Sequence, residues 1–69
     1  MALSARNRLS GTVSSVETDG VVAEIAVELP DGQTVTSTIT RSSAERLDLA
    51  EGDDVEAVIK ASEVMVDKD

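Results

Sequence analysis

Four residues near the start of the chain, Ser4, Ala5, Arg6 and Asn7, hold the most concentrated donor chemistry in the sequence. A guanidinium presents a planar fork of N–H groups that matches an oxyanion, and a hydroxyl and a carboxamide add shorter donors beside it. The surrounding composition makes the cluster informative, because four Arg and two Lys face 14 Asp and Glu at a formal net charge of -8. Alone, a tetrapeptide of this kind reads better as ordinary solvated charge at a terminus. The remaining cations and the elements that carry them decide between the two.

Those cations are Arg8, Arg41, Arg46 and Lys60, with Lys68 in the tail. Arg6 opens the first expected strand, Arg41 stands where the third strand turns into a helix, and Lys60 lies near the end of the fourth strand. Strand ends and a helix start placed this way converge on one rim of a barrel or on an interface. A helix start leaves backbone N–H groups unpaired, so Thr40 to Ser43 reads as an anion-binding stretch, or more simply as a cap formed by Ser42 or Ser43. Catalysis is not expected, since the chain has no His, Cys or Tyr to act as base, nucleophile or acid near neutral pH. Glu51, Asp53 and Asp54 lack the ligand spacing of a calcium loop, and no dedicated metal site is expected there.

The elements follow from periodicity. Leu9, Val13 and Val16 mark a first strand from Arg6 to Val16, where Gly11 predicts a bulge or a close backbone approach. Glu17-Thr18-Asp19-Gly20 reads as a tight turn. Val21, Ala23, Ile25, Val27 and Leu29 alternate on one face of a second strand, with Glu24 and Glu28 on the other. Pro30-Asp31-Gly32 turns the chain into a third strand, Gln33 to Thr40, with Val35 and Ile39 opposite a row of Thr. A short helix is expected from Ser43 to Leu49, closed near Glu51-Gly52. Val55, Ala57, Ile59 and Ala61 give a fourth strand, and Val64, Met65 and Val66 a short fifth. The expectation is an all-β chain with one short helix: a five-stranded OB-like β-barrel in the order β-β-β-α-β-β.

Sixty-nine residues without an aromatic side chain or a disulfide make one small domain, 1–69, with little apolar area to bury. Oligomerisation is the remaining way to cover enough surface. The acidity opposes nucleic acid and anionic lipid as partners and is compatible with a high-salt habitat. No apolar run reaches the ~20 residues of a membrane span, and no signal-peptide core is visible, so a cytoplasmic protein is expected.

Beyond these readings, the order Ser4-Ala5-Arg6-Asn7, Gly11, Ile39-Thr40 with Ser43, Leu47, Glu51-Gly52, then Ile59-Lys60-Ala61-Ser62 with Val64 resembles the molbindins. These are small Mop-type molybdate-binding proteins, and the resemblance runs from about residue 3 to residue 66. It implies the same OB-like barrel and a hexamer built as a trimer of dimers, with oxyanion sites between subunits. It further implies that Ser4, Ala5 and Arg6 supply donors from the N-terminal motif and that Thr40 and Ser43 supply them at the strand-to-helix junction. Lys60 would add a second cation, Ala61 and Ser62 further donors, and Asn7 either a ligand bond or a brace. Molybdate and tungstate are tetrahedral dianions that only accept hydrogen bonds, which suits a donor-only site.

Two readings from other classes stand beside it. An OB-fold nucleic-acid module needs a basic groove and stacking aromatics, and this chain has neither. An oligomerisation or regulatory module with a vestigial anion site would keep the fold and lose the affinity.

Overall fold

The computed structural model describes residues 6–68. Strand β1 runs Asn7–Asp19, β2 Val22–Glu28, β3 Thr34–Thr40, then helix α1 Arg41–Arg46, strand β4 Asp54–Ile59 and a 3-10 turn Ala61–Glu63. The four strands form one antiparallel sheet in the order β3-β2-β1-β4, curled into a half-barrel.

Everything hangs on β1, which changes partner halfway. Asn7 to Thr12 pair with β4, and Thr12 to Asp19 pair with β2. A strand shared in this way must bend, and the register shift between Val13 and Ser15 marks a bulge at the bend. Gly11 sits just before it, where an added Cβ would lie 2.6 Å from the Glu28 carbonyl and 2.7 Å from Val27 Cγ1. The close approach expected at Gly11 is therefore present, while the bulge falls three positions later, at Ser14. Two backbone bonds of 2.9 Å, Val13 N–H to the Asp53 carbonyl and Gly52 N–H to the Val13 carbonyl, pin the bend to the loop entering β4.

Alternation in β2 does what its pattern predicts: Ala23, Ile25 and Val27 are buried and, with Val13 and Ala44, make the core. The two ends of that pattern fall outside the strand. Asp19 pairs with Val22, so Gly20 and Val21 form a two-residue hairpin with Gly20 at φ +62°, and Val21 is 81% exposed. The first strand accordingly extends to Asp19, past the turn expected at Glu17. Val35 and Ile39 of β3 and Val55, Ala57 and Ile59 of β4 are half-buried on the inner face.

A fifth strand is not formed among the described residues. After the 3-10 turn, Val64 is extended (φ -89°, ψ 118°) but pairs with no neighbouring strand, and Met65 and Val66 are 93% and 90% exposed. Extended, β-branched sequence makes a strand only when an edge lies within hydrogen-bonding reach. Without it, the sheet stays open between β3 and β4. The opening is a trough of about 510 Å³ lined by Val27, Ile39, Leu49, Val55, Ala57 and Ile59. Ala61, expected on the inner face of β4, instead begins the turn.

Candidate functional site

The β1–β4 ladder places the first donor cluster. Asn7 is the register partner of Ile59, so Arg6 and Lys60 are the next residues outward from the end of the ladder on its two strands. Asn7 Nδ2 donates to the Ile59 carbonyl at 3.2 Å, clamping the start of β1 to the end of β4. In the single chain Asn7 thus braces. Ala61 and Ser62 follow at once in the 3-10 turn, for which Lys60 is the N-cap residue. Arg6 and Lys60 are exposed. Ser4 and Ala5, the other expected members of this cluster, lie outside the described residues.

The second cluster is built where β3 ends. Thr40 pairs with Val22, and Arg41 N–H donates to the Val21 carbonyl at 2.8 Å, so the ladder holds Thr40 extended (φ -71°, ψ 148°). A residue held extended at the head of a helix is its cap. Thr40 Oγ1 accepts from Ser43 N–H at 3.1 Å, which makes Thr40 the N-cap in place of Ser42 or Ser43, and the helix runs Arg41–Arg46 rather than Ser43–Leu49. Leu47 is its C-cap, and the left-handed residue that closes it is Asp48 at φ 54°, not Gly52. Asp48 N–H returns to the Glu45 carbonyl at 3.0 Å and Leu49 N–H to the Ala44 carbonyl at 3.2 Å, and that closure turns Leu49 toward the core. Leu47, two positions before it, is 66% exposed.

Side chains join this junction into one network. The Thr40 hydroxyl donates to Ser43 Oγ at 2.8 Å, and an Arg46 guanidinium N–H donates to the same Ser43 Oγ at 3.0 Å. Ser42 Oγ lies 3.4 Å from Thr40 Oγ1. Sequence reasoning named Arg46 among the scarce cations but did not place it in the site. An Arg three positions after a Ser on a helix is the signal that points to it, and that signal is weak without knowing that the Ser hydroxyl is engaged.

The two clusters occupy opposite ends of the 13-residue β1, since Thr40 pairs with Val22 and Val22 with Asp19, while Arg6 precedes Asn7. No hydrogen bond or ion pair links them among the described residues. Of the two placements expected from sequence, one rim or an interface, a single rim is not formed within one chain.

Electrostatics distinguish the cations. Arg8 pairs with Glu56 at 2.8 Å across the ladder, and Arg41 with Glu45 at 3.4 Å along the helix. Arg6, Arg46 and Lys60 pair with no carboxylate among the described residues. No group of three acidic side chains suited to a metal ion is found among those residues, and no helix there is long and apolar enough to cross a membrane. The net charge of -8 per chain leaves much like-charge repulsion for salt to screen. The melting temperature is therefore expected to rise from low to roughly molar monovalent salt. A flat or falling trend in a salt series followed by circular dichroism would count against that electrostatic account.

A curled antiparallel sheet with one short helix is the architecture of the small OB-like domains. The family model of the TOBE domain matches residues 3–66, and the chain belongs to that family, as a Mop-type molbindin. It is similar to molybdenum-pterin-binding protein 3 of Clostridium pasteurianum, 44% identical over 66 residues that cover 96% of this chain and 97% of the relative. Its fold is similar to that of a molybdate-binding protein from Sporomusa ovata, with a TM-score of 0.92 and 38% identity over 99% of this chain and 100% of that one. A third likeness is to the cytoplasmic molybdate-binding protein ModG in a molybdate-bound form. There the TM-score is 0.83 and the identity 44%, covering 88% of this chain and 43% of that chain.

Proposed function

We propose that this protein, one Mop-type domain across residues 1–69, binds molybdate and serves as a cytoplasmic store or buffer for it. Tungstate, a dianion of the same shape and acceptor-only chemistry, is taken by the same donors. The observation that carries the reading is the pair of cations Arg6 and Lys60, without carboxylate partners among the described residues and each next outward from the Asn7–Ile59 register pair in an otherwise acidic chain. The relatives named for molybdate and molybdenum-pterin binding support it.

The site is proposed to lie between subunits. Ser4, Ala5, Arg6, Lys60, Ala61 and Ser62 of one protomer form one side, and Thr40 and Ser43 of another the second, because the two clusters lie at opposite ends of β1. Two fixed cations with several neutral donors neutralise a dianion without excess, and each charge-assisted bond contributes roughly 1.5–3 kcal/mol. Assembly also answers the packing. Among the described residues five side chains are buried in the lone chain, while the trough between β3 and β4 and the apolar Val64 to Val66 segment stay uncovered. A homo-oligomer, with six chains as a trimer of dimers, covers both.

Calorimetric titration with molybdate, tungstate, sulfate and phosphate, together with light scattering after size exclusion, tests this. The expected result is saturable molybdate and tungstate binding by a particle several times the 7.2 kDa chain mass. A folded monomer would remove the intersubunit site, and an oligomer indifferent to molybdate would leave only the oligomerisation reading.

A further inference from the structure

We propose that Asp19–Gly20, at the tip of the β1–β2 hairpin, is the preferred site of spontaneous covalent modification in this chain. There the Asp19 side chain closes on the following amide to give a succinimide and then isoaspartate. Aspartate followed by glycine is the dipeptide most open to this reaction, because glycine has no Cβ to shield its amide nitrogen. The sequence has two such steps, Asp19–Gly20 and Asp31–Gly32, and both are exposed. Composition does not rank them; the fold does.

The chemistry needs a nucleophilic nitrogen and an electrophilic carboxyl carbon. The glycine nitrogen bonds to the aspartate Cγ, the carboxyl OH leaves as water with the amide proton, and a five-membered imide remains. Water then opens the imide at either carbonyl. Opening at Cγ restores aspartate, whereas opening at the main-chain carbonyl routes the backbone through Cγ and leaves a free α-carboxylate. No oxidant, reductant or cofactor takes part.

At Asp31 both reacting groups are engaged. Gly32 N–H donates to the Leu29 carbonyl at 2.9 Å. The Asp31 carboxylate accepts from Gln33 N–H at 3.2 Å on Oδ1 and from Gln33 Nε2 on Oδ2. Those bonds, the side-chain one foremost, hold its carboxyl below the ordinary aspartate value and so keep it ionised, the form from which water leaves least readily.

At Asp19 neither group is held. Gly20 N–H donates to no backbone carbonyl, and the Asp19 carboxylate accepts from no donor, among the described residues. Gly20, at φ +62°, lies just outside the ladder, which ends with the Asp19–Val22 pair. Isoaspartate there adds one carbon to the main chain between that pair and Val21. The Val21 carbonyl accepts from Arg41 N–H at 2.8 Å at the head of α1, so the added length falls on a contact that ties the hairpin to the helix.

The test ages the full-length protein in near-neutral buffer, warmed below its melting temperature, beside a sample held unfolded in urea. Peptide mapping by mass spectrometry, with an isoaspartyl carboxyl methyltransferase to label the new α-carboxylate, counts the product at each step. In the folded protein isoaspartate is expected severalfold more at Asp19 than at Asp31, and in urea, where the Asp31 bonds are lost, the ratio should narrow. Gln33→Ala removes the side-chain clasp and should raise isoaspartate at Asp31 while leaving Asp19 unchanged. Asp19→Glu, whose longer side chain closes a ring less readily, should remove most of the label. Equal yields in the folded protein, or no isoaspartate at either step, overturn the proposal. So does a ratio that persists in urea, which would assign the preference to the neighbours Thr18 and Pro30, and so does a Gln33→Ala variant with Asp31 unchanged.

Discussion

Replacing either Arg6 or Lys60 with alanine is expected to weaken molybdate binding about ten- to a hundredfold, the loss of one charge-assisted contact of roughly 1.5–3 kcal/mol. The register explains why both should matter. Asn7 faces Ile59, so Arg6 and Lys60 are the next residues outward from the β1–β4 ladder, whose end is clamped by the Asn7 side chain to the Ile59 carbonyl. Both are exposed and free of carboxylate partners among the described residues, so little folded-state interaction is lost when either is removed. Removing either cation breaks no ion pair among the described residues, and the variants should stay folded and assembled. Arg6→Lys should also bind less well, because an ammonium cannot reproduce the two-pronged geometry of a guanidinium.

Arg8 supplies the control. By strand alternation it shares a face with Arg6, yet its guanidinium is engaged by Glu56 at 2.8 Å. Arg8→Ala should leave affinity within about twofold, since an exposed ion pair is worth little. Calorimetry on the three variants reads the result directly. If Arg8→Ala costs as much as Arg6→Ala, a diffuse basic patch explains binding better than a built site. If neither Arg6→Ala nor Lys60→Ala changes the affinity, the anion binds elsewhere.

The largest effect on stability is expected at Gly11. An alanine Cβ there would stand 2.6 Å from the Glu28 carbonyl oxygen, 2.7 Å from Val27 Cγ1 and 3.2 Å from Leu29 Cδ2. Two of those neighbours are side chains, but the nearest is backbone and cannot rotate aside. Relief requires β2 to move away from β1 at the bend where β1 exchanges one partner strand for the other. Overpacking of this kind costs about 1–3 kcal/mol. For a chain of this size that corresponds to about 4–8 °C in melting temperature per kcal/mol. Gly11→Val should cost more than Gly11→Ala, with the folded fraction still binding molybdate. Thermal melts at one fixed protein concentration check this, because subunit association shifts apparent stability. An unaltered melting temperature in Gly11→Ala would mean that β2 passes β1 with more room than the contacts indicate.

Much of this was legible in the residues themselves. Alternation from Ala23 to Val27 named the buried face of β2, Gly11 announced a close approach, and Asp19-Gly20 placed the first hairpin within a residue. The ordered motifs from Ser4 to Ser62 carried the family, and the TOBE match over residues 3–66 agrees with them. Such features are local: a side chain's size, branching and spacing act on the chain next to it, whatever the rest of the molecule does.

Partners across the sheet are a different matter. Val64 to Val66 have the composition of a strand but no edge to pair with in the single chain, so periodicity counted five strands where four form among the described residues. Ser42, Ser43 and Thr40 can each cap a helix, and what selects Thr40 is its pairing with Val22, eighteen positions away, which keeps it extended to the last residue of β3. In sequence Arg46 is only one of the scarce cations, and it is the helix that turns it onto a hydroxyl already engaged by Thr40. The two donor clusters seemed able to share a rim until the register of β1 set them at its opposite ends. Sequence spacing constrains which face a residue takes, but hydrogen-bond partners are chosen by segments distant in the chain, and only their tertiary arrangement settles which donors stay free for an anion.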